Sequence, residues 1–254
     1  MKTIRLFGSR GLTLILGAAF GVSLSFAPPA FAQAFNGAAV IVNPDGKVTY
    51  LGTLGGSTAP LAINDAGQVL GSSATKEFDQ FGNQISHAFI TGANGMGMRD
   101  LGTLGGASGA TGINDARQVV GSSVTKELSP FAYPVIHAFI TGPGGKGMTD
   151  LGTLGGAGSR AVDINDAGQV VGYSDTKELF SGGQQRWHAF ITGPDGRGMT
   201  DLGTLGGILS TATGINDAGQ VAGYSDTKVY PVFRAFITGP NGKGMTDLGT
   251  LGGG

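Results

Sequence analysis

The chain has 254 residues, of which 49 are glycine and only 13% are charged. Glycine is costly inside helices and useful in turns, so this composition argues against a mostly helical protein and favours many short strands. With 40% hydrophobic residues the chain can bury a core, and the lack of cysteine excludes disulfides and thiolate metal sites.

The first 32 residues have the three parts of a secretory signal. Three basic residues among the first ten form a positive start, residues 12–26 are apolar, and residues 30–32 are a small-x-small cleavage motif. We therefore predict cleavage after Ala32 and a secreted or periplasmic mature protein. The alternative is a membrane anchor, but the apolar run is shorter than the roughly 20 residues that a spanning helix needs, and no later segment qualifies.

Removal of this segment leaves an acidic chain. Residues 33–254 contain 13 basic and 17 acidic residues, which gives a formal charge of −4 with neutral histidines. Because no basic cluster remains to bind phosphates, we predict that neither nucleic acid nor anionic lipid is a partner.

One motif, LGTLGG, recurs through the rest of the chain, with starts 50, 50, 51 and 46 residues apart. A period of this length is typical of stacked or radially arranged modules. We therefore assign residues 33–254 to one repeat domain, with a half copy at residues 38–54 followed by four full copies. The motif starts at Leu51, Leu101, Leu151, Leu202 and Leu248.

Each full copy contains two turn motifs that predict two hairpins. The first is N-x-x-G, as at Asn64, Asn165 and Asn216, where Asn caps the turn and Gly accepts the positive φ of a type I turn with a G1 bulge. The second is a Gly-rich turn, with proline at its second position in the later copies. In the second copy Arg117 replaces the glycine of the first turn, so we expect a left-handed arginine that costs on the order of 1 kcal/mol.

Four strands in each unit fit a propeller blade better than a solenoid coil, whose rungs are shorter and lack paired hairpin turns. We predict an all-β fold, a β-propeller-like array of four-stranded antiparallel units, with four full repeats plus a half repeat and 18 strands in total. Four blades plus a hairpin, five blades with one incomplete, and an open array all fit the sequence.

Two strings recur in the copies with small changes: H-A-F-I-T-G-P-x-G-x-G-M-T-D-L-G-T-L-G-G, and G-I-N-D-A-G-Q-V-x-G-Y-S. Together they resemble the HAF-repeat family of extracellular bacterial proteins, over residues 35–254. The chain departs from the family's pattern at Arg234, which replaces the histidine of H-A-F, at residues 38–40 and at Arg117. The resemblance implies export and a repeat fold. It implies no established activity, and no catalytic residue is carried over.

The histidines of the chain, His87, His137 and His188, occupy one position of the repeat. A ring of them around an axis would suit zinc or nickel, but Arg234 places a cation at the fourth position. We therefore expect each ring to hydrogen-bond to backbone between units, and we predict no metal site and no cofactor.

Carboxylates and turn amides also recur. Residues 163–168 begin like a calcium loop, but later ligand positions are missing, so we interpret Asn165 and its neighbours as turn caps. An aspartate precedes LGTLGG in the full copies; carboxylates made equivalent by repetition do not suit the differing acid and base of a glycosidase, and we expect them to bond backbone amides at a strand edge. These residues are Asp100, Asp150, Asp201 and Asp247.

The copies differ most between their second and third strands, where the aromatic residues gather. In an antiparallel meander the tight turns lie at one end of the units and these variable segments at the other. We predict a ligand-binding surface of exposed rings, which stack on sugars or anchor a protein. The alternative is that the rings fold back as small satellite cores. The candidate residues are Phe78, Phe81, Phe131, Tyr133, Phe180, Trp187, Tyr230 and Phe233.

The sequence therefore predicts an exported, non-catalytic binding module for a glycan or a protein. One alternative is a hydrolase or lyase on a propeller scaffold, which requires a unique, non-repeated pair of titratable residues that the sequence does not display. The other is a structural envelope or matrix component, for which aromatic-poor loops are expected.

Overall fold

In the computed structural model the chain forms five sheets that follow one another along the sequence. The structure describes residues 4–5, 31–35, 38–42, 46–64, 66–129, 133–179, 185–229, 232–250 and 252. Each full repeat is a four-stranded antiparallel meander, and consecutive meanders pack against each other. The predicted all-β, propeller-like array is confirmed.

The strands group by repeat. A two-residue strand, β1 (Ile4–Arg5), pairs with the edge of unit 1. The N-terminal sheet contains β2 (Phe31–Phe35), β3 (Ala38–Val42) and β4 (Val48–Tyr50). Unit 1 contains β5 (Thr58–Ile63), β6 (Val69–Phe78), β7 (Gln84–Ile90) and β8 (Arg99–Asp100). Unit 2 contains β9 (Ser108–Ile113), β10 (Val119–Leu128), β11 (Pro134–Gly142) and β12 (Lys146–Asp150).

Unit 3 contains β13 (Gly155–Ile164), β14 (Val170–Leu179), β15 (Gln185–Thr192) and β16 (Met199–Asp201). Unit 4 contains β17 (Gly206–Ile215), β18 (Val221–Thr227), β19 (Phe233–Thr238) and β20 (Met245–Asp247). A short 3₁₀ turn joins the third and fourth strands of each full unit, at Ala93–Gly95, Pro143–Gly145, Pro194–Gly196 and Pro240–Gly242.

The N-terminal half repeat has three strands where the sequence predicted two. The extra strand, β2, pairs antiparallel with β3. Its first two residues, Phe31 and Ala32, precede the predicted cleavage point, and residues 1–3 and 6–30 of the predicted signal lie outside the described residues. Cleavage there stays a prediction. Among the described residues, no helix has the length and apolarity needed to cross a membrane.

The first hairpin of each full unit closes as the N-x-x-G motif predicts. In unit 3, Gly168 N–H donates to Asn165 O (3.0 Å), and Gln169 N–H donates to Asn165 Oδ1 (2.9 Å). Gly168 has a φ of 74°, and Arg117, at the same position of unit 2, has a φ of 61°. The predicted left-handed arginine is confirmed.

Arg117 also changes how the two tight turns of unit 2 meet. In unit 3 a Cβ added to Gly168 would lie 2.8 Å from the backbone of the facing turn, so the two turns touch there. A hydrogen bond from Gly196 N–H to Gly168 O (3.0 Å) ties them together. Unit 3 has a second, longer bond from Asp195 N–H to Ala167 O (3.4 Å), and the described turns of unit 2 make only the equivalent of this second bond, from Gly144 N–H to Ala116 O (3.1 Å). The arginine therefore carries backbone strain, and the described turns of unit 2 share one hydrogen bond where those of unit 3 share two.

We expect Arg117→Gly to raise the free energy of unfolding by roughly 1 kcal/mol, because it removes a left-handed non-glycine residue. Greater freedom of the unfolded chain offsets part of this gain. The readout is a higher melting temperature by circular dichroism. The control is Gly168→Ala, which places a Cβ at positive φ against the facing turn and should lower the melting temperature. A lower value for Arg117→Gly would contradict the turn assignment.

Apolar side chains on both sides of each sheet build cores between neighbouring units. We call the side of a unit that packs on the next unit its forward face, and the opposite side its backward face. Unit 1 supplies Leu70, Ile90 and Leu101 from its forward face, and unit 2 supplies Val119 and Phe139 from its backward face. Equivalent positions form the other cores, including the one between the N-terminal sheet and unit 1. Each full unit thus buries one central phenylalanine: Phe89, Phe139, Phe190 or Phe236.

Buried serines fasten each unit to the one before it. Ser159, on β13, accepts a hydrogen bond from Ala138 N–H of unit 2 (2.9 Å) and donates to Gly152 O in the connecting LGTLGG segment. Ser108 and Ser210 make the same two bonds in units 2 and 4. Each of these serines therefore binds both the preceding unit and the LGTLGG segment that connects the two units.

The first strands of successive units lie side by side. Thr111 on β9 donates to Ala161 O on β13 (3.1 Å). Asn114 Nδ2 donates to Asn165 O, and Asn165 Nδ2 donates to Asn216 O, each at 3.1 Å. We call these amide contacts the asparagine ladder. Because first strands contact each other across units, they lie nearest the common axis of the array.

Candidate ligand-binding site

Each unit has a tight-turn end and a loop end. At the tight-turn end its two turns are hydrogen-bonded to each other, as in unit 1, where Gly95 N–H donates to Gly67 O (2.9 Å). The variable connection between the second and third strands lies at the loop end. The meander topology brings the LGTLGG connection to the same end, a point that the sequence pattern alone did not reveal.

The described aromatic residues of the variable segments are exposed. Phe81 is 79% exposed, Tyr133 is 70% exposed and Trp187 is 37% exposed; Phe78 is exposed as well. The alternative, in which the rings fold back as satellite cores, does not describe these four side chains. The other candidates in the loops, Phe131, Phe180 and Tyr230, lie outside the described residues.

Phe233 and Trp187 are placed differently from the other described candidates, because each lies on the third strand of its unit at the same repeat position. Phe233 begins β19 and contacts Tyr224 of β18 edge to face, with ring centroids 6.0 Å apart and planes at 75°. Side chains along β19 point alternately to the two sides of the sheet. Phe233 therefore lies on the forward face of unit 4, together with Ala235 and Ile237. Trp187 lies in the same way on the forward face of unit 3 with Ala189 and Ile191, so these two rings belong to strands near the loop end and not to the loops themselves.

Two loops hold their aromatic residues through internal hydrogen bonds. Asp79 accepts bonds from Asn83 Nδ2 (3.1 Å) and from the backbone N–H groups of Asn83 and Phe81 (both 2.8 Å). These bonds, led by the one from the Asn83 side chain, hold the pKa of Asp79 below its ordinary value. In unit 2, Ser129 N–H donates to Tyr133 O (2.9 Å), and Tyr133 N–H donates to Ser129 Oγ (3.1 Å). The backbone at Phe81 and at Tyr133 is fixed by these bonds and loses little freedom when a ligand binds.

A groove lies between units 2 and 3, beside the loop of unit 2. It consists of two adjoining pockets of about 290 and 400 Å³ that share Arg160 and Tyr173. The first pocket also contains Asp175 and, from the unit 2 loop, Ser129 and Pro134. Pockets of this size accept small molecules. The groove therefore combines a cation, a carboxyl group and a phenol beside an exposed aromatic loop.

Asp175 is the partly buried acid of the groove. Burial raises the pKa of its carboxyl group, and the backbone N–H of Gly158 and the positive charge of Arg160 offset only part of that effect. Arg160 is exposed, and its guanidinium makes no hydrogen bond to the residues that the structure describes. Its N–H donors therefore face solvent. They lie near the Asp175 carboxyl group, whose neutral form is favoured by burial.

Sequence reasoning missed these groove residues. Arg160 stands where the other full copies have Ala59, Gly109 and Thr211. A charged side chain that occurs once at a repeated position was the available signal. The recurring motifs do not include this position, so they give no indication of it.

Each histidine is paired with the aspartate that ends the fourth strand of its own unit. In unit 1, His87 Nδ1 lies 2.8 Å from Asp100 Oδ2, and Asp100 Oδ1 accepts a bond from Gly102 N–H (2.7 Å). The expected histidine bonds to backbone between units are wrong, because the register that sets Phe89 opposite Asp100 brings His87 diagonally next to the carboxylate. The predicted aspartate bonds to backbone amides are confirmed. Units 2 and 3 repeat the pair as His137 with Asp150 and His188 with Asp201.

In unit 4, Arg234 replaces the histidine and pairs with Asp247 (3.0 Å), so the exchange keeps the cross-strand contact. In unit 3, burial alone would raise the pKa of Asp201, but hydrogen bonds from His188 and from Gly203 N–H hold it below its usual value. A depressed carboxyl pKa stabilises the fold above the unfolded value of about 4, and this contribution is lost as the pH falls through the folded value.

The N-x-x-G asparagines act as the turn caps that we predicted. Asn165 Oδ1 accepts from Gln169 N–H, and Asn165 Nδ2 donates to Gln169 Oε1 (2.8 Å) as well as to the next unit. Within the part of the chain that the structure describes, no three His, Asp or Glu side chains are grouped to hold a metal ion.

Comparison with solved structures identifies proteins of similar fold. The chain resembles a protein described as TolB from Agrobacterium tumefaciens, with 12% identity and a TM-score of 0.50, over 87% of this chain and 76% of that protein. TolB from Acinetobacter baumannii is 11% identical, with a TM-score of 0.51, over 83% of this chain and 48% of that one. An oligogalacturonate lyase in complex with manganese is 12% identical, with a TM-score of 0.54, over 86% and 61%.

At such low identity these likenesses show the fold alone, and the fold is a β-propeller scaffold. The chain spans 48% of the second protein and 61% of the third. No protein-family model and no curated protein sequence matches the chain.

Proposed function

We propose that this protein is an exported, non-catalytic propeller that binds a glycan through its loop end. The observation that carries the proposal is the solvent exposure of Phe81, Tyr133 and Trp187 on a rigid β scaffold. Large apolar rings left in water favour a partner that covers them. Flat rings with an apolar face suit the apolar face of a sugar ring.

The groove between units 2 and 3 supplies the polar half of sugar recognition. Arg160 donates hydrogen bonds, the Asp175 carboxylate accepts them, and the Tyr173 hydroxyl does both. A groove that mixes such groups beside the exposed ring of Tyr133 fits an oligosaccharide chain better than the broad, flat patch that a folded protein partner covers. This argues for a glycan over a protein ligand.

Export belongs to the same proposal. The tripartite pattern of residues 1–32 supports removal of a signal, and the HAF-type motifs support membership of a family of exported repeat proteins. One structural neighbour is named an oligogalacturonate lyase, and that name makes acidic oligosaccharides a sensible part of the first probe set.

We expect Tyr133→Ala, Trp187→Ala and Arg160→Ala each to weaken the binding of a glycan found on an array by roughly tenfold, as removal of an interface anchor typically does. Affinities are measured by isothermal titration calorimetry. The control is Met96→Ala, which removes an exposed apolar side chain at the tight-turn end and should leave binding unchanged. Unchanged binding in a Tyr133→Ala/Trp187→Ala double variant would exclude the loop site, and an array without any bound glycan would exclude the proposed function.

The same groove supports a second candidate, a lyase or hydrolase for an acidic sugar. Arg160 could neutralise a substrate carboxylate, and Asp175, with its raised pKa, or Tyr173 could transfer a proton. Bound oligosaccharides would then shorten with time, which mass spectrometry detects. Cleavage that is lost in Tyr173→Phe while binding remains would identify an enzyme.

A further inference from the structure

The forward face of unit 4 carries the apolar residues that build every core between units, yet it is exposed. Ile237 is 36% exposed, whereas Ile191, at the same position of unit 3, is 4% exposed. Leu248 is 59% exposed, whereas Leu101 is 7% exposed. Ala235 is exposed, and the equivalent alanines of the other three full units are fully buried. Unit 4 thus exposes one side of an interface whose two sides are packed together between the other units of the chain.

Aromatic residues extend this exposed face. Tyr224 and Phe233, which contact each other edge to face, are 45% and 47% exposed. By strand alternation they lie on the same side of the sheet as Ile237. The exposed surface of unit 4 is therefore continuous across β18 and β19.

The N-terminal sheet presents the matching half. In unit 1 the backward face holds Phe89 and Met98, and the N-terminal sheet has Val40 and Val48 at these two positions. Val48, on the outer strand β4, is 52% exposed, whereas Val40, on the middle strand β3, is buried at 7%. Tyr50, which replaces the aspartate of the His–Asp pair, is 72% exposed, so the edge of this face is apolar where the full units are charged.

We propose that a second copy of this chain covers the forward face of unit 4 with the backward face of its N-terminal sheet. The contact continues the interface that already joins the five sheets of one chain, and it uses the same repeat positions. The forward face of unit 4 and the outer strand β4 of the N-terminal sheet are exposed at once in the described chain, so the chain leaves both of these surfaces uncovered. A second copy is the partner that has the required complementary surface.

Such an interface is heterologous, since the two copies use different surfaces. Each dimer leaves one surface of each kind free, so association continues into longer chains or closes into a ring. Ala222 stands where unit 3 has the buried Val171, which leaves the exposed face of unit 4 shallower than the internal ones. The contact between copies is therefore weaker than the cores inside one chain and depends on concentration.

The test compares the wild-type protein with three charged variants by sedimentation velocity over a range of concentrations. Ile237→Glu alters only the forward face, and Val48→Glu alters only the backward face. The matched control, Val229→Glu, places the same charge at a position that is 68% exposed at the loop end, outside both faces. We expect the average mass of the wild type and of Val229→Glu to rise with concentration, and each face variant alone to remain monomeric.

An equimolar mixture of Ile237→Glu and Val48→Glu is the decisive sample. Each variant keeps the surface that the other has lost, so the mixture should form dimers of twice the monomer mass that do not grow further. A wild type that stays monomeric at every concentration would overturn the proposal, and so would a mixture without dimers. Circular dichroism tests whether the variants are folded. If Ile237→Glu does not fold, Leu248→Glu replaces it as the forward-face variant. Ile237→Glu and Val48→Glu lie on the two faces and not in the groove or the loops, so glycan binding by these two variants reports separately on the proposed function.

Discussion

Replacement of Phe190 by alanine is expected to lower the free energy of unfolding by about 3–5 kcal/mol. Phe190 is fully buried between units 2 and 3, where it packs among Val120, Ile140 and Val170. Alanine removes these contacts and leaves a cavity, and sheets fixed by hydrogen bonds on both sides of the core cannot move together to fill it. Urea unfolding followed by circular dichroism measures the loss.

Phe78→Ala is the control for this experiment. It makes the same chemical change at a ring that is 63% exposed, so its effect on stability should stay within about 0.5 kcal/mol of zero. Equal losses for the two variants would mean that units 2 and 3 do not pack face to face as described. Both proteins also inform the glycan assay, because only Phe78 lies at the loop end.

Gly172→Ala is expected to cost about 3 kcal/mol, at the upper end of the usual cost of overpacking. A Cβ at Gly172 would overlap the carbonyl oxygen of Arg160 on the neighbouring strand, close to the register shift between Ala161 and Asp163. A backbone atom cannot rotate out of the way, so β13 and β14 must separate. Because Arg160 lines the groove, the variant should also weaken glycan binding.

The matched control is Gly109→Ala, at the position of Arg160 in unit 2. A Cβ there meets nothing within 4 Å. Stability should be unchanged or slightly higher, since alanine restricts the unfolded chain. Melting temperatures that fall equally in the two variants would show that the close approach at Gly172 is not the cause of the loss.

Much of the fold was predictable because local chemistry specifies it. The N-x-x-G turns limit their own backbone to one hairpin geometry, and the left-handed Arg117 follows from its place in that turn. Strand number per unit followed from the two turns. The third strand of the N-terminal sheet, β2, was not predicted, because residues 31–35 contain no turn motif and resemble the end of a signal.

The candidate site was predicted less completely. The exposed loop rings were located because variation between copies marks surface segments. The His–Asp pairs were missed because they depend on a diagonal contact across two strands, which repeat spacing does not reveal. The groove was missed because its walls come from two different units, and only the packing of β13 against unit 2 brings Arg160 next to the unit 2 loop.

The asparagine ladder has a consequence for how such a chain can change in length. In units 2 and 3 the same asparagine donates its amide to the following unit, and in units 3 and 4 its carbonyl receives the amide from the preceding one. Tandem duplication of a whole unit would therefore bring donor and acceptor together in one inserted piece. For this contact, the gain or loss of a whole copy needs no compensating mutation at the new junction.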